Sequence, residues 1–194
     1  MEFYQEITLL PTVEFSMYAL WSKVYENLHL RLAEVQHNES RGKIGIAFPD
    51  YRNDSDAVGL GRRMRLLAPE QEALEQLEIA KALHRYMDYV HISSIRRIPR
   101  NRVSGYAVYC RFRFESSRTQ KARRYARRHD ISYQEALSLF PLDRRGSEPP
   151  YLQVKSLSNG NSFRLYINKK DVDSMVFDGF SAYGLSDKSS VPEF

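Results

Sequence analysis

Hydrophobic and polar positions change period several times along this chain, and each change marks a candidate element. Residues Phe3–Leu10 alternate loosely and stop at Pro11, the pattern of a first strand. From Glu14 to Val35 the apolar residues Phe15, Ala19, Leu20, Val24, Leu28, Leu32 and Val35 recur at near-helical spacing over more than five turns. Leu30 interrupts that stripe, and His29 stands beside Leu28 on the border of the buried face. Asn38–Gly42 reads as a turn. Lys43–Phe48 reads as a strand ended by Pro49-Asp50, and its Gly45 points to a bulge or a close backbone approach. Tyr51–Gly61 is polar and reads as a loop. Met64–Leu67 is a short strand.

Proline at the first turn, followed by Glu70 and Glu72, predicts a helix that carries Ala73, Leu74, Leu77 and Ala80 and reaches Leu83. Tyr89–Ile98 is a fourth strand. The order strand-helix-strand-strand-helix-strand predicts a ferredoxin-like (RRM-like) domain over residues 1–98. RNA-binding proteins use this arrangement, but so do many unrelated ones, so the fold alone carries no function.

Residues 99–194 form a less regular α+β half. Tyr106–Phe114 alternates so that Arg111 and Arg113 share one strand face. A helix at about 118–129 follows, then a short one in which Ser132 caps and Glu135 answers three residues on. Asp143–Pro150 is a polar loop. Tyr151–Leu157 and Phe163–Asn168 pair around Ser158-Asn159-Gly160-Asn161, and Gly179–Ser186 is a candidate edge strand.

Composition places the chain among globular proteins: 42% of its 194 residues are hydrophobic, enough for a core. The lone Cys110 allows no intrachain disulfide and no cysteine-built zinc cluster. Glu2 and Glu6 stand where a basic leader would be, and no apolar run approaches the ~20 residues of a membrane span. A soluble, cytoplasmic protein without a membrane partner is expected.

The net charge of +5 conceals an asymmetry, since residues 1–97 carry a net −2 and residues 98–194 a net +7. Between Arg96 and Arg128 lie 12 basic residues against one acid, Glu115, and eleven of the twelve are arginine. Arginine's planar fork suits phosphates and guanine edges, so nucleic acid is the favoured partner. The bias is sharpest in the helix. Arg123, Arg124, Arg127 and Arg128 fall within an arc of roughly 140°, with Ala122, Tyr125, Ala126 and His129 on the other side. Like charges at i,i+4 cost an isolated helix a few tenths of a kcal/mol per pair. With no acid on that face, a polyanion is the natural counterpart.

Several chemistries are excluded by what is missing. There is no Gly-x-x-x-x-Gly-Lys loop and no Gly-x-Gly-x-x-Gly after a strand. Asp50, Asp54 and Asp56 belong to a turn rather than a metal cluster, no histidine pair has ligand spacing, and no cofactor is called for. RNA cleavage by the substrate's own 2′-hydroxyl needs only a base, alignment and charge stabilisation. His29, His84, His91 and His129 are candidate bases that the residue pattern does not rank; His37 lies in a polar turn and is the weakest.

The opening strand and four motifs in order carry a resemblance: Gly-Ile-Ala-Phe-Pro-Asp at 45–50, Arg-Arg-His-Asp-Ile-Ser at 127–132, Phe-Arg-Leu-Tyr-Ile at 163–167 and Tyr-Gly-Leu-Ser at 183–186. Over essentially its whole length the chain resembles the Csy-type CRISPR-associated endoribonuclease of type I-F systems. The resemblance implies a sequence-specific, metal-independent ribonuclease that cuts CRISPR repeat RNA (pre-crRNA) on the 3′ side of a stem-loop. It implies a 2′,3′-cyclic phosphate product, and retention of the crRNA hairpin among the other subunits of a surveillance complex. It assigns the catalytic histidine to His29, the 2′-hydroxyl-orienting serine to Ser156, with Ser158 beside it, and the C-terminal positioning tyrosine to Tyr183. Phe163 matches a residue stacking on the closing base pair, and Arg111 one reading a guanine near the stem base. Arg113 stands where the best-known pattern has glutamine, so base preference there is expected to shift. Lys121, Arg123, Arg124, Arg127, Arg128 and His129 fall on the helix that would lie along the RNA. The rival reading is a non-catalytic hairpin-binding subunit, and a DNA-binding regulator is a third.

Replacing Arg124 and Arg128 with alanine should weaken hairpin binding with little change in sequence preference. Affinity measured across a salt series should show a slope shallower by roughly 1.4–1.8, about 0.7–0.9 for each phosphate no longer neutralised. Unchanged affinity would show that this face does not meet the RNA backbone.

Overall fold

A computed structural model describes residues 1–36, 42–113, 118–140, 148–156 and 160–194. Its elements run β1 (Phe3–Leu9), α1 (Met17–Gln36), β2 (Gly45–Ala47), β3 (Arg52–Asn53), β4 (Val58–Gly59), β5 (Arg63–Ala68), α2 (Gln71–Glu75) and α3 (Ile79–Ala82). They continue with β6 (Val90–Ile92), β7 (Arg96–Arg97), β8 (Gly105–Phe112), α4 (Arg118–His129), α5 (Tyr133–Ser138), β9 (Tyr151–Lys155), β10 (Ser162–Val172) and β11 (Val191–Glu193). His37, most of the Asn38–Gly42 turn, Phe114, most of the Asp143–Pro150 loop, and Ser158 lie outside the described residues. The chain divides into two compact units, one of Met1–Arg111 with Pro149–Phe194 and another of Phe112–Glu148, a different division from one at residue 98.

In the larger unit the first sheet has the order β2-β5-β1-β6, with β7 also on β1. With one helical segment after β1 and another after β5, this is the ferredoxin-like arrangement. The fourth strand is not continuous. Ile7 pairs with Ile92, but Phe3 pairs with Arg97, so one residue more lies on the later strand than on β1. This is a β-bulge at Ser93–Ile95, and Ser93 repairs it: its Oγ accepts from the Glu6 amide at 2.9 Å and its carbonyl accepts from Gln5 Nε2 at 2.9 Å. Close approach explains Gly45, where a Cβ would stand 2.6 Å from the Phe180 ring.

α1 starts later than Glu14 because Ser16 caps it, its Oγ accepting from the Ala19 amide at 3.2 Å. The buried stripe also lies slightly round the helix from the one expected. It takes in Trp21, Tyr25, His29 and Gln36, and leaves Phe15, Ala19 and Val35 only partly covered. α1 therefore packs with its aromatic side inward. It lies against β1 and α3, and also against β9, whose Gln153 amide donates to Ser22 Oγ at 3.1 Å. Complete burial of side chains such as Trp21, Leu28 and Leu32 stabilises by about 1.5–3 kcal/mol each.

The helix expected to reach Leu83 is broken. Glu78 adopts a left-handed conformation, φ 44°, and α3 restarts after it. A straight helix would carry Ile79 and Leu83 roughly 140° and 180° away from Leu74, out to solvent. The break turns all of Leu74, Leu77, Ile79 and Leu83 into the core. The freed carbonyls are taken by Arg31, which donates to Gln76 O at 2.9 Å and Leu77 O at 3.3 Å.

Gly179–Ser186 is not an edge strand. It forms a turn whose β-bridge among the described residues is Gly42–Phe180, and the last strand of the β11-β8-β10-β9 sheet is Val191–Glu193. The loop over Tyr51–Gly61 contains the small β3–β4 hairpin, closed by Asp54 Oδ1 accepting from the Asp56 and Ala57 amides at 2.9 and 2.8 Å.

The smaller unit holds α4 and α5. The bounds of α4, Arg118–His129, coincide with those expected, and Asp130, φ 51°, turns the chain after it. Ser132 and Glu135 form the reciprocal capping box that starts α5.

Gly184 has φ +67°, and a Cβ there would stand 2.5 Å from Ile46 Cγ1. Gly184→Ala should cost about 2–3 kcal/mol through both strain and collision. In urea unfolding, this should appear as a lower midpoint at unchanged m-value.

Candidate active site and nucleic-acid interface

The predicted catalytic residues, with Arg111 and Phe163, fall in the larger unit, and the predicted cationic helix falls in the smaller. In the larger one, α1 delivers His29, 3% exposed, against the turn at residues 180–185. The imidazole lies flat on the Tyr183 ring, with centroids 4.3 Å apart and planes 8° from parallel, and the Tyr25 ring is nearly parallel to it at 6.4 Å and 7°. Its Nδ1 is 3.0 Å from the Ala182 carbonyl oxygen. A carbonyl can only accept, so Nδ1 carries the hydrogen, and in the neutral ring Nε2 keeps the lone pair. Burial pushes the His29 pKa below its usual 6.5, against a smaller opposing effect of the Ala182 carbonyl. The result is a neutral imidazole with a defined tautomer, the state a general base needs.

Tyr183 continues the cluster. Its ring meets Phe163 edge-on, at 6.4 Å and 86°, and the Arg111 guanidinium lies 5.1 Å from the Phe163 centroid. Arg111, Phe163, Tyr183, His29 and Tyr25 thus form one chain of ring contacts drawn from β8, β10, the C-terminal turn and α1. A cation over a ring face holds the guanidinium in place. Ser156 follows β9, and its amide donates to Asn161 O at 2.9 Å to close the β9–β10 hairpin. Phe163 pairs with Val154, two residues before Ser156, which lies just past the end of β9. Ser158 is outside the described residues.

Arg113 departs from expectation. β8 ends at Phe112, so Arg113 is exposed beyond the strand and the alternation that would align it with Arg111 does not reach it. Among the four candidate histidines only His29 is buried. His84 is exposed with Nδ1 near Lys81 O, His91 is exposed on β6, and the exposed His129 stacks on Tyr125 at 4.1 Å within its own helix.

In the smaller unit Arg123, Arg124, Arg127 and Arg128 are all exposed, while Ala122 is buried and Tyr125 packs edge-on against Phe140 at 5.8 Å. Among the described residues no ion pair reaches any of these four arginines, and Arg123 lies over the Tyr133 ring at 6.0 Å. Lys121 lies partly covered on the same helix. Four exposed arginines with no ion pair among the described residues are available to phosphates.

Among the described residues no group of three or more His, Cys, Asp or Glu side chains is gathered to hold a metal ion, and Asp50 is engaged by Arg63 at 2.5 Å. No helix among them is long and apolar enough to cross a membrane.

The family described as CRISPR-associated protein (Cas_Csy4) matches residues 4–194. The chain belongs to that family. Two Cas_Csy4 relatives, each named CRISPR-associated endonuclease Cas6/Csy4, match it over the full length of both chains. One is from Escherichia coli (strain UTI89 / UPEC), 31% identical over 196 residues, and the other from Pseudomonas aeruginosa (strain UCBPP-PA14), 30% identical over 196 residues.

Residue patterns alone do not single out Tyr25, Gln36 or the backbone of Ser181 and Ala182. Tyr25 precedes His29 by four positions, and that i,i+4 spacing is a signal. Nothing local in the sequence marks the carbonyls.

Because the pKa of His29 is depressed, the unfolded chain takes its proton first as pH falls. The histidine's contribution to stability should be complete above about pH 6.5 and be lost progressively below it. A ring-proton titration by NMR should place the His29 midpoint below 6.5. A midpoint above that value would contradict the buried, neutral site.

Proposed function

We propose that this chain is an endoribonuclease that cuts CRISPR repeat RNA at the 3′ base of its stem-loop without a metal ion. His29, Ser156 and Tyr183 form the cutting site in this reading, and the helix α4 is the grip. The observation that carries it is the imidazole held flat on Tyr183, with Nδ1–H spent on the Ala182 carbonyl and a depressed pKa.

The steps follow from that geometry. Nε2 of His29 takes the proton of the substrate's 2′-hydroxyl. The 2′-oxygen attacks the adjacent phosphorus, the bond from phosphorus to the 5′-oxygen breaks, and that oxygen leaves as a hydroxyl after the proton taken up by the imidazole passes to it through solvent, which restores neutral His29. The product is a 2′,3′-cyclic phosphate. The nucleophile belongs to the substrate, so no metal-activated water is required. Ser156 would orient the 2′-hydroxyl and Tyr183 would hold the imidazole square to it.

Phe163 is only partly buried, which leaves its ring able to accept the closing base pair. Stacking of this kind contributes about 1–3 kcal/mol per base. Arg111, held over Phe163, is placed to offer its fork to a guanine. The major groove of A-form RNA is too deep and narrow for wide base reading, so Lys121, Arg123, Arg124, Arg127, Arg128 and His129 would meet mainly phosphates. Ser158 and Arg113 join the RNA-binding set from the family pattern. Such a product complex, with its hairpin retained, suits a subunit of a type I-F surveillance complex in the cytoplasm.

Single-turnover cleavage of the cognate repeat in excess EDTA tests the reading. Wild type should cut, and His29→Ala should lose at least about 100-fold in rate while its hairpin Kd stays within about twofold. A wild-type protein that binds but never cuts would be a structural hairpin-binding subunit instead. Equal affinity for duplex DNA would favour a DNA-binding regulator.

A further inference from the structure

Five consecutive backbone carbonyls, at residues 180–184, accept hydrogen bonds from the N-terminal half of the chain. Gly42 N reaches Phe180 O at 2.9 Å, Gln36 Nε2 reaches Ser181 O at 3.2 Å, and His29 Nδ1 reaches Ala182 O at 3.0 Å. Tyr25 Oη donates to Tyr183 O at 2.8 Å, and Ile46 N to Gly184 O at 2.9 Å. The three side-chain donors come from one stripe of α1. At 100° per residue, positions 25, 29 and 36 fall within roughly 40° of each other. They converge on three successive carbonyls in reverse order of sequence, so each donor excludes a shift of its neighbour.

This run decides which oxygen His29 meets. A slip of the turn by one residue would present it with the carbonyl of Ser181 or Tyr183 in place of Ala182, and would carry the Tyr183 ring off the imidazole. The turn's own bonds do not prevent such a slip. Ser181 N and Oγ both donate to Leu185 O at 2.8 Å, which closes the turn on itself but does not anchor it to α1. Anchorage to α1 on either side of His29 comes from Tyr25 and Gln36, inside the outer backbone bonds of Gly42 and Ile46. Both are buried. Gln36 is doubly engaged, its Oε1 accepting from the Ile44 amide at 3.1 Å, so the side chain cannot rotate freely.

We propose that Tyr25 and Gln36 are positioning residues for cleavage: by pinning the carbonyls of Tyr183 and Ser181 they hold Ala182 O on His29 Nδ1 and so keep the Nε2 lone pair free. Neither touches RNA in this role. They act through the backbone of the turn, and the inference rests on His29 being the base.

The test uses the full chain with Tyr25→Phe, which keeps the ring beside His29 and removes only the donor, and with Gln36→Met, which removes the donor at the other end while preserving side-chain length. The tautomer of His29 is read from the ¹⁵N shifts of its ring, and cutting from single-turnover rates on the repeat hairpin. Both variants should raise the fraction of the Nε2–H tautomer and slow cutting about tenfold, with hairpin Kd within about twofold of wild type. A wild-type tautomer and rate in both variants would overturn the proposal, since a merely structural role predicts lowered thermal stability alone. Should Tyr25→Phe fail to fold, Gln36→Met decides by the same readouts. If His29→Ala cuts at the wild-type rate, it is the assignment of the base that fails, and the ring shifts still report separately whether Tyr25 and Gln36 set the tautomer.

Discussion

The hydrogen bonds from α1 to the carbonyls of residues 181–183 are the constraint on which the candidate site depends. All three bonds are partly buried, and a buried carbonyl left unpaired costs about 1–3 kcal/mol. Here the donors are Gln36, His29 and Tyr25, so the same bonds that satisfy the turn also orient the imidazole. The proposed catalytic histidine is thus part of the structural solution for its own surroundings. That double use explains why the imidazole is both buried and aligned.

α1 can serve in this way because it is shared. One helix closes the ferredoxin-like sheet, covers the edge of β9 through Ser22, and meets the C-terminal turn through Tyr25 and His29. Residues distant in sequence, such as Phe163 from β10 and Tyr183 from the turn, are thereby brought to its buried face. Gly184 and Gly45 permit the close approach, each standing where a Cβ would collide with Ile46 or Phe180. The cationic helix α4 has the opposite character: its arginines are exposed, unlike the buried His29. Binding charge needs exposure, whereas a tuned base needs burial, so the two proposed roles occupy different units of the chain.

Much of this was legible from residue order. The six-element ferredoxin-like pattern, the α4 bounds and the Ser132–Glu135 capping box follow from local periodicity, propensity and capping, and the structure has them. Two of the departures have a common origin. The helix after Pro69 breaks at Glu78 because burial of Ile79 and Leu83 outweighs continued helical hydrogen bonding. The fourth strand acquires a bulge at Ser93, whose side chain repairs the ladder, and Arg113 falls beyond the end of β8. At Glu78 and Ser93 tertiary packing overrode a local preference, and nothing in the structure explains the end of β8 at Phe112.

By itself the sequence determined the cationic face of α4, the apolar stripe of α1 and the family motifs, because charge, periodicity and short-range capping are encoded within a few turns of chain. Residue pattern could not rank His29 above His84, His91 or His129. That ranking depends on which histidine is buried, which carbonyl its Nδ1 meets and which ring lies over it. The answers, Ala182 and Tyr183, are contributed from more than 150 residues away in sequence. Only the packing of α1 against the C-terminal turn could decide them, because burial and hydrogen-bond direction are properties of the assembled core and of no single segment.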